Sequence, residues 1–130
     1  MRYLLDVSSL VALGIVRHQF HSRMIAWART QLGSTFLTCP ITELGFVRVA
    51  AQARVYGYTI TQAKDLLLAL KKGPSFQVEF VVDSHDASRL PAWVSTSGQT
   101  TDGHLVELAK AHSAILATLD EGIPGAFLVP

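Results

Sequence analysis

The sequence predicts an α/β domain built on a mostly parallel sheet of about five strands. The first observation behind this is alternation: short apolar runs follow one another along the chain, separated by stretches of helical period, as in βα units. The second is composition. Hydrophobic residues make up 49% of the 130 residues and charged residues only 16%, against about 25% charged in an average protein. That excludes intrinsic disorder, and it fits a sheet covered on both faces or a subunit interface. The third is length, which suits one domain over residues 1–130 with a core that needs no disulfide or metal staple.

Each element has its own signal. Tyr3-Leu4-Leu5 is a first strand ending at Asp6; Ser8 or Ser9 is expected to cap the helix that follows, with Leu10, Leu13 and Gly14 on one side of it. A second helix is predicted over 21–32, burying Met24, Ile25, Trp27, Ala28 and Leu32 and stopped by Gly33. Thr35 to Cys39 is β-rich. Pro40 suits the first position of a third helix, which carries Glu43 in its opening turn and Leu44, Val47 and Ala51 along one face. Thr61 is expected to cap a fourth helix that runs to Lys72 and ends at Gly73-Pro74. Gln77 to Val82 makes a third strand ending at Asp83, and residues 84–101, rich in Ser and Thr, hold at most a short helix. Thr100 or Thr101 starts a fifth helix, with Leu105, Leu108, Ala109 and His112 at i, i+3, i+4 and i+7. Ala114 to Leu119 is a fourth strand ending at Asp120, and Ala126 to Val129 a short last one after the Gly122-Ile123-Pro124-Gly125 turn.

Several function classes fall away. Cys39 is alone, so no internal disulfide can form, and it reads as a small buried hydrophobe. The five His show no zinc-ligand spacing, and no glycine-rich phosphate loop or nucleophile elbow occurs. The stretch from Met1 to Val16 faintly imitates a secretory signal, but Asp6 interrupts it. No run reaches the ~18 apolar residues of a membrane span, so a cytoplasmic location and no membrane contact are expected. A net charge of +1 neither demands nor forbids a nucleic-acid partner.

With only ten carboxylates, their placement is the informative feature. Ligands of parallel α/β sheets bind outside the carboxyl ends of the strands. Asp6, Asp83 and Asp120 end predicted strands, and Glu43 and Asp102 open helices at the same edge, so five acids share one rim. Acids at such places also cap helices, and capping is the reading taken for Asp83 and Asp86. Asp6 and Glu43 fit capping less well: Ser8 and Ser9 can cap in place of Asp6, and Glu43 stands in an otherwise neutral segment. Convergence of these acids needs a cation, since two carboxylates ~4 Å apart repel by about 4 kcal/mol at an effective dielectric of 20. An all-oxygen set points to Mg²⁺ or Mn²⁺ and to phosphodiester hydrolysis.

Four segments carry a resemblance. Leu4-Leu5-Asp6-Val7-Ser8-Ser9-Leu10-Val11-Ala12-Leu13, Thr38-Cys39-Pro40-Ile41-Thr42-Glu43-Leu44-Gly45-Phe46-Val47-Arg48-Val49, Thr101-Asp102-Gly103-His104-Leu105-Val106-Glu107-Leu108-Ala109 and Leu116-Ala117-Thr118-Leu119-Asp120-Glu121-Gly122-Ile123 together resemble the motifs of PIN-domain ribonucleases, and more narrowly of VapC-type toxins of bacterial toxin–antitoxin pairs. The resemblance implies a three-layer α/β/α fold and a site built from Asp6, Glu43, Asp102 and Asp120 that binds Mg²⁺ or Mn²⁺. It implies hydrolysis of an RNA phosphodiester by activated water, a homodimer, and neutralisation by a small VapB-type antitoxin. Asp6 and Asp102 would ligate directly, Glu43 would ligate or orient the water, and Asp120 would act directly or through water.

The chain departs from the pattern at Ser8, where relatives commonly have Asn; a serine there can hydrogen-bond a ligating carboxylate. Gly103 and His104 stand where relatives often have larger apolar residues, and Gly103 allows a close approach of backbone or substrate. His104 reads as a surface or interface residue near the site, His18 and His21 as solvated, and Trp27 and Trp93 as core or interface. Thr118, two residues before Asp120 on one strand face, supports a carboxylate. An alternative reading is an acid-rimmed protein-interaction module with little catalysis.

Overall fold

A computed structural model describes residues 1–130. Five strands form one all-parallel sheet: β1 (Arg2–Leu5), β2 (Thr35–Thr38), β3 (Gln77–Phe80), β4 (Ile115–Thr118) and β5 (Phe127–Leu128), in the order β3-β2-β1-β4-β5. Five helices connect them: α1 (Val7–Gly14), α2 (His21–Thr30), α3 (Pro40–Gln52), α4 (Ile60–Lys72) and α5 (Thr100–Ala111). The two-residue alternation of the strands sorts their side chains into two cores. Tyr3, Leu5, Phe36 and Ala117 face α1 to α4, joined by Leu10, Met24, Trp27, Phe46 and Leu67. Leu4, Leu37 and Leu116 face the other way, against Leu105, Leu108 and Ala109 of α5. The sheet is thus covered on both faces, giving the three layers, and the expected strands are all present.

Local starts and stops differ from the sequence reading in instructive ways. Helix α1 begins at Val7, so its N-cap is Asp6, which accepts from the Ser9 N–H; neither Ser8 nor Ser9 caps it. Thr59, not Thr61, caps α4: its hydroxyl accepts from Gln62 N–H while the Gln62 amide oxygen accepts from Thr59 N–H. The T-x-x-Q spacing makes that reciprocal pair possible, whereas a cap at Thr61 would put Lys64 in the partner position. Strand β3 ends at Phe80, three residues short of Asp83, and Asp83 caps no helix. Asp86 does cap, accepting from Ser88 N–H at the 3₁₀ turn Ala87–Arg89. A second 3₁₀ turn, Ser97–Gln99, leads into α5.

Two features bear directly on the site. Counting outward from β1, the chain places β2 and β3 on one side and then β4 and β5 on the other, so the strand order reverses between β1 and β4. That is where open α/β sheets bind ligands, at the carboxyl ends of the two strands. And Gly103, in the first turns of α5, packs under the 84–99 segment so closely that a Cβ there would stand 2.3 Å from Val94 Cγ2. The segment lies on helix backbone, and only glycine leaves room for it.

Candidate metal centre at the strand-order reversal

Asp6 follows β1 and is buried, and its carboxylate is held by donors from two elements. Oδ1 accepts from Ser9 N–H at 2.9 Å and lies 2.6 Å from Ser9 Oγ and 3.3 Å from Ser8 Oγ. Oδ2 accepts from Thr118 Oγ1 at 2.5 Å. The Ser9 hydroxyl also reaches Ala117 O at 2.9 Å, and its single proton serves one acceptor at a time. Sequence reasoning singled out Ser8 and Thr118 as supports; Ser8 is the weaker of the two serines, and Ser9, read there as a possible cap, is the stronger. Thr118 supports Asp6 across the β1–β4 pair, and its Oγ1 accepts the Asp120 N–H at 3.0 Å. One threonine thereby fixes a carboxylate of one strand end and the backbone of the next.

Asp6, Asp102 and Asp120 line a common cavity of about 300 Å³ with Ser8, Thr101, His18 and Tyr56 and the apolar Val7, Val11, Val49 and Leu105. No Lys or Arg is among the lining residues. Burial, then the charges of Asp6 and Asp120, push the Asp102 carboxyl above its ordinary range. A cavity of similar size at the opposite edge of the sheet, lined by Arg29, Leu32, Ser34, Phe76 and Gln77 among others, contains no acid.

Glu43 stands apart from these three. Its Oε2 pairs with Lys71 Nζ of α4 at 2.7 Å and accepts from Thr38 Oγ1 at 2.5 Å, and it does not line the cavity. Its isolation in the sequence hid a partner 28 residues on, which only the packing of α3 on α4 supplies. As the side chains stand, no three His, Cys, Asp or Glu residues are close enough together to hold an ion. The donor set still suits a hard divalent cation: three carboxylates face one cavity with no Lys or Arg to offset them, and hydroxyls already fix Asp6.

Other residues weighed from the sequence find definite places. Asp83 accepts from His85 N–H at 3.0 Å and pairs with His104 Nε2 at 2.6 Å, so His104 ties the start of the 84–99 segment to α5 and is not a free surface residue. His21 Nδ1 lies 2.7 Å from Ala12 O. His18, expected in solvent, lines the acidic cavity. Trp27 belongs to an aromatic cluster with Tyr3, Phe36 and Phe127, Trp93 packs on the α5 side of the sheet, and Cys39 is fully buried at the end of β2. His18 and Tyr56 are the site residues that sequence reasoning missed. Neither carries a local signal; folding of two separate loops brings them there.

Ribonuclease VapC38 of Mycobacterium tuberculosis is 36% identical to this sequence over 124 residues, spanning 92% of this chain and 86% of that protein. The chain belongs to the VapC ribonuclease family. Ribonuclease VapC44 of the same organism is 37% identical over 131 aligned positions, spanning 95% and 89% of the two chains. No protein-family model matches the sequence. Among solved structures, VapBC2 from Rickettsia felis bound to a DNA fragment from their promoter superposes with a TM-score of 0.63 at 15% identity, over 98% of this chain and 97% of that one. That likeness bears on the fold, and the three layers seen here are those of a VapC-type PIN fold. No helix of this VapC chain is long and apolar enough to cross a membrane.

Proposed function

We propose that this VapC chain is a toxin of a VapBC pair, an endoribonuclease that uses Mg²⁺ or Mn²⁺ to hydrolyse RNA phosphodiester bonds in the cytoplasm. The observation that carries the reading is the convergence of Asp6, Asp102 and Asp120 on one cavity at the strand-order reversal, with no Lys or Arg in its lining. Asp6 and Asp102 would hold the metal, and Asp120, exposed at the rim, would reach it directly or through water. Glu43 would join as the fourth acid only on leaving its pair with Lys71. A divalent cation bound there would offset the carboxylates and polarise a phosphodiester oxygen. The chain's own residues would orient the ligands: Ser9 and Thr118 fix Asp6, and Thr118 fixes the backbone of Asp120.

Family membership supports the ribonuclease reading, and the promoter complex of the structural relative supports an antitoxin partner. For the homodimer, exposed Leu44, Val55 and Ile60 on and after α3 offer apolar surface of the kind subunit contacts cover. The deciding test is cleavage of RNA with Mg²⁺ or Mn²⁺, compared with EDTA and with Asp6→Asn. Both controls should lower the rate by about 100-fold or more, the scale of losing a main electrostatic group. Cleavage that survives both would exclude the metal mechanism. A protein that binds an antitoxin yet cuts no RNA under any metal would instead be the acid-rimmed interaction module.

A further inference from the structure

The carboxylates account for only part of their cavity. Two loops, residues 15–20 between α1 and α2 and residues 53–59 between α3 and α4, also contribute to its lining, through His18 and Tyr56. Arg17 latches them together, donating to Val55 O at 2.9 Å and to Tyr56 O, with its guanidinium 6.0 Å from the Tyr56 ring centre and 5.8 Å from that of Tyr58. His18 and Tyr56, one from each of the latched loops, both line the cavity. The His18 backbone is held on both sides, its N–H donating to Ile15 O and its carbonyl accepting from His21 N–H, each at 3.0 Å. Phe20 backs the imidazole at 5.8 Å between ring centres.

The tautomer of His18 follows from its neighbour. Phe20 N–H donates to His18 Nδ1 at 3.0 Å, so Nδ1 carries the lone pair and the proton resides on Nε2. Burial and then nearby His21 lower the pKa of the ring, which favours this neutral form. Besides its acids, the cavity lining therefore combines one neutral N–H donor, one phenol ring and the apolar Val7, Val11 and Val49. No Lys or Arg lines the cavity, and Arg17 is taken up by the carbonyls of Val55 and Tyr56, so this lining is a poor match for a phosphate and a good match for a flat, uncharged group with an acceptor on its edge. An unpaired nucleobase has that chemistry, and unstacked RNA bases lie readily on Tyr and His rings. A volume of about 300 Å³ is the class that takes one small ligand.

We infer that this part of the cavity is a nucleobase subsite, in which His18 Nε2–H donates to an acceptor on an unpaired RNA base lying against Tyr56. The inference rests on the ribonuclease reading, since it places that base beside the phosphodiester to be cut. It makes His18 a specificity-determining residue of the reaction.

Two measurements test it. First, each of the four nucleoside 5′-monophosphates is titrated into the protein with Mg²⁺ present, following the His18 ring nitrogens and the Tyr56 ring by NMR. At least one nucleotide should shift both, and His18→Ala should weaken its binding about tenfold, the worth of one hydrogen bond, while His18→Gln, which keeps a donor, restores most of it. Second, short single-stranded oligoribonucleotides varied at the positions flanking the cut are digested by wild type and both variants. His18→Ala should flatten the base preference and raise KM with a smaller effect on kcat, and His18→Gln should keep a preference. Nucleotides that move neither ring in the wild-type protein overturn the subsite, and so does an unchanged base preference in a folded His18→Ala. Binding of mononucleotides without any change in cleavage preference means a free-nucleotide site and also overturns it. Binding through His18 by a protein that cuts no RNA leaves the subsite standing and removes the nuclease reading; cleavage indifferent to His18 does the reverse.

Discussion

Asp6 and Asp102 face the same cavity in opposite conditions. Asp6 is surrounded by donors from Ser8, Ser9 and Thr118. Asp102 has no such support: burial first, and then Asp6 and Asp120, raise its pKa, and no hydrogen bond offsets them. A carboxyl whose folded pKa lies above its unfolded value disfavours folding once the pH exceeds that unfolded value, near 4. At neutral pH, Asp102 therefore costs the protein stability that a cation would return. Asp102→Asn should raise the melting temperature of the metal-free protein. Mn²⁺ should then stabilise wild type and leave Asp102→Asn unmoved in a thermal melt. A variant that melts below wild type without metal would show that Asp102 is an ordinary structural acid.

At the scale of elements, the segment between β3 and α5 is fastened where the site needs rigidity. Gly103 lets Val94 and Pro91 sit on the α5 backbone one residue from Asp102, and Asp83 grips His104 one residue further on. Burial alone would raise the Asp83 carboxyl, but the hydrogen bonds from His104 and from His85 N–H, with the charge of both imidazoles, outweigh it and hold the group below its usual range. A depressed carboxyl stabilises the fold above its unfolded pKa and loses that contribution as the pH falls through the folded value. Asp83→Asn should thus lower stability at pH 7, and the gap to wild type should close as the pH drops below about 4, read by urea unfolding at several pH values. Part of this was open to sequence reading: the order of all the strands and the five main helices follows from apolar period, Pro40 and Gly33. The sequence reading places the α4 cap at Thr61, although the T-x-x-Q spacing marks Thr59. The Asp83–His104 tie was not legible, because its partners are 21 residues apart and neither is marked by local pattern.

For the whole molecule, net charge conceals an uneven distribution. With Asp6, Asp102 and Asp120 gathered in one cavity, seven acids remain elsewhere against eleven Lys and Arg, so the rest of the molecule carries a positive excess although the chain sums to +1. The apolar excess is uneven too. Leu44 and Ile60 are 69% and 60% exposed and line a groove with Val47, Arg48 and Ala51. If this face joins two copies, light scattering should give twice the 14.1 kDa chain mass, and Leu44→Arg with Ile60→Arg should give a folded monomer. A dimer that survives the double substitution would place the contact elsewhere.

The sequence by itself determined the layered α/β architecture and the rim on which the acids stand, because both follow from local period and from which residue ends each strand or opens each helix. It also carried the family motifs, which are runs of contiguous residues. Tertiary structure decided the rest. It drew Asp6, Asp102 and Asp120 to one cavity and left Glu43 with Lys71; it gave Asp6 its threonine from β4; and it carried His18 and Tyr56 in from two loops. These are contacts between residues far apart in the chain, set by strand order and helix packing, and no local period records them.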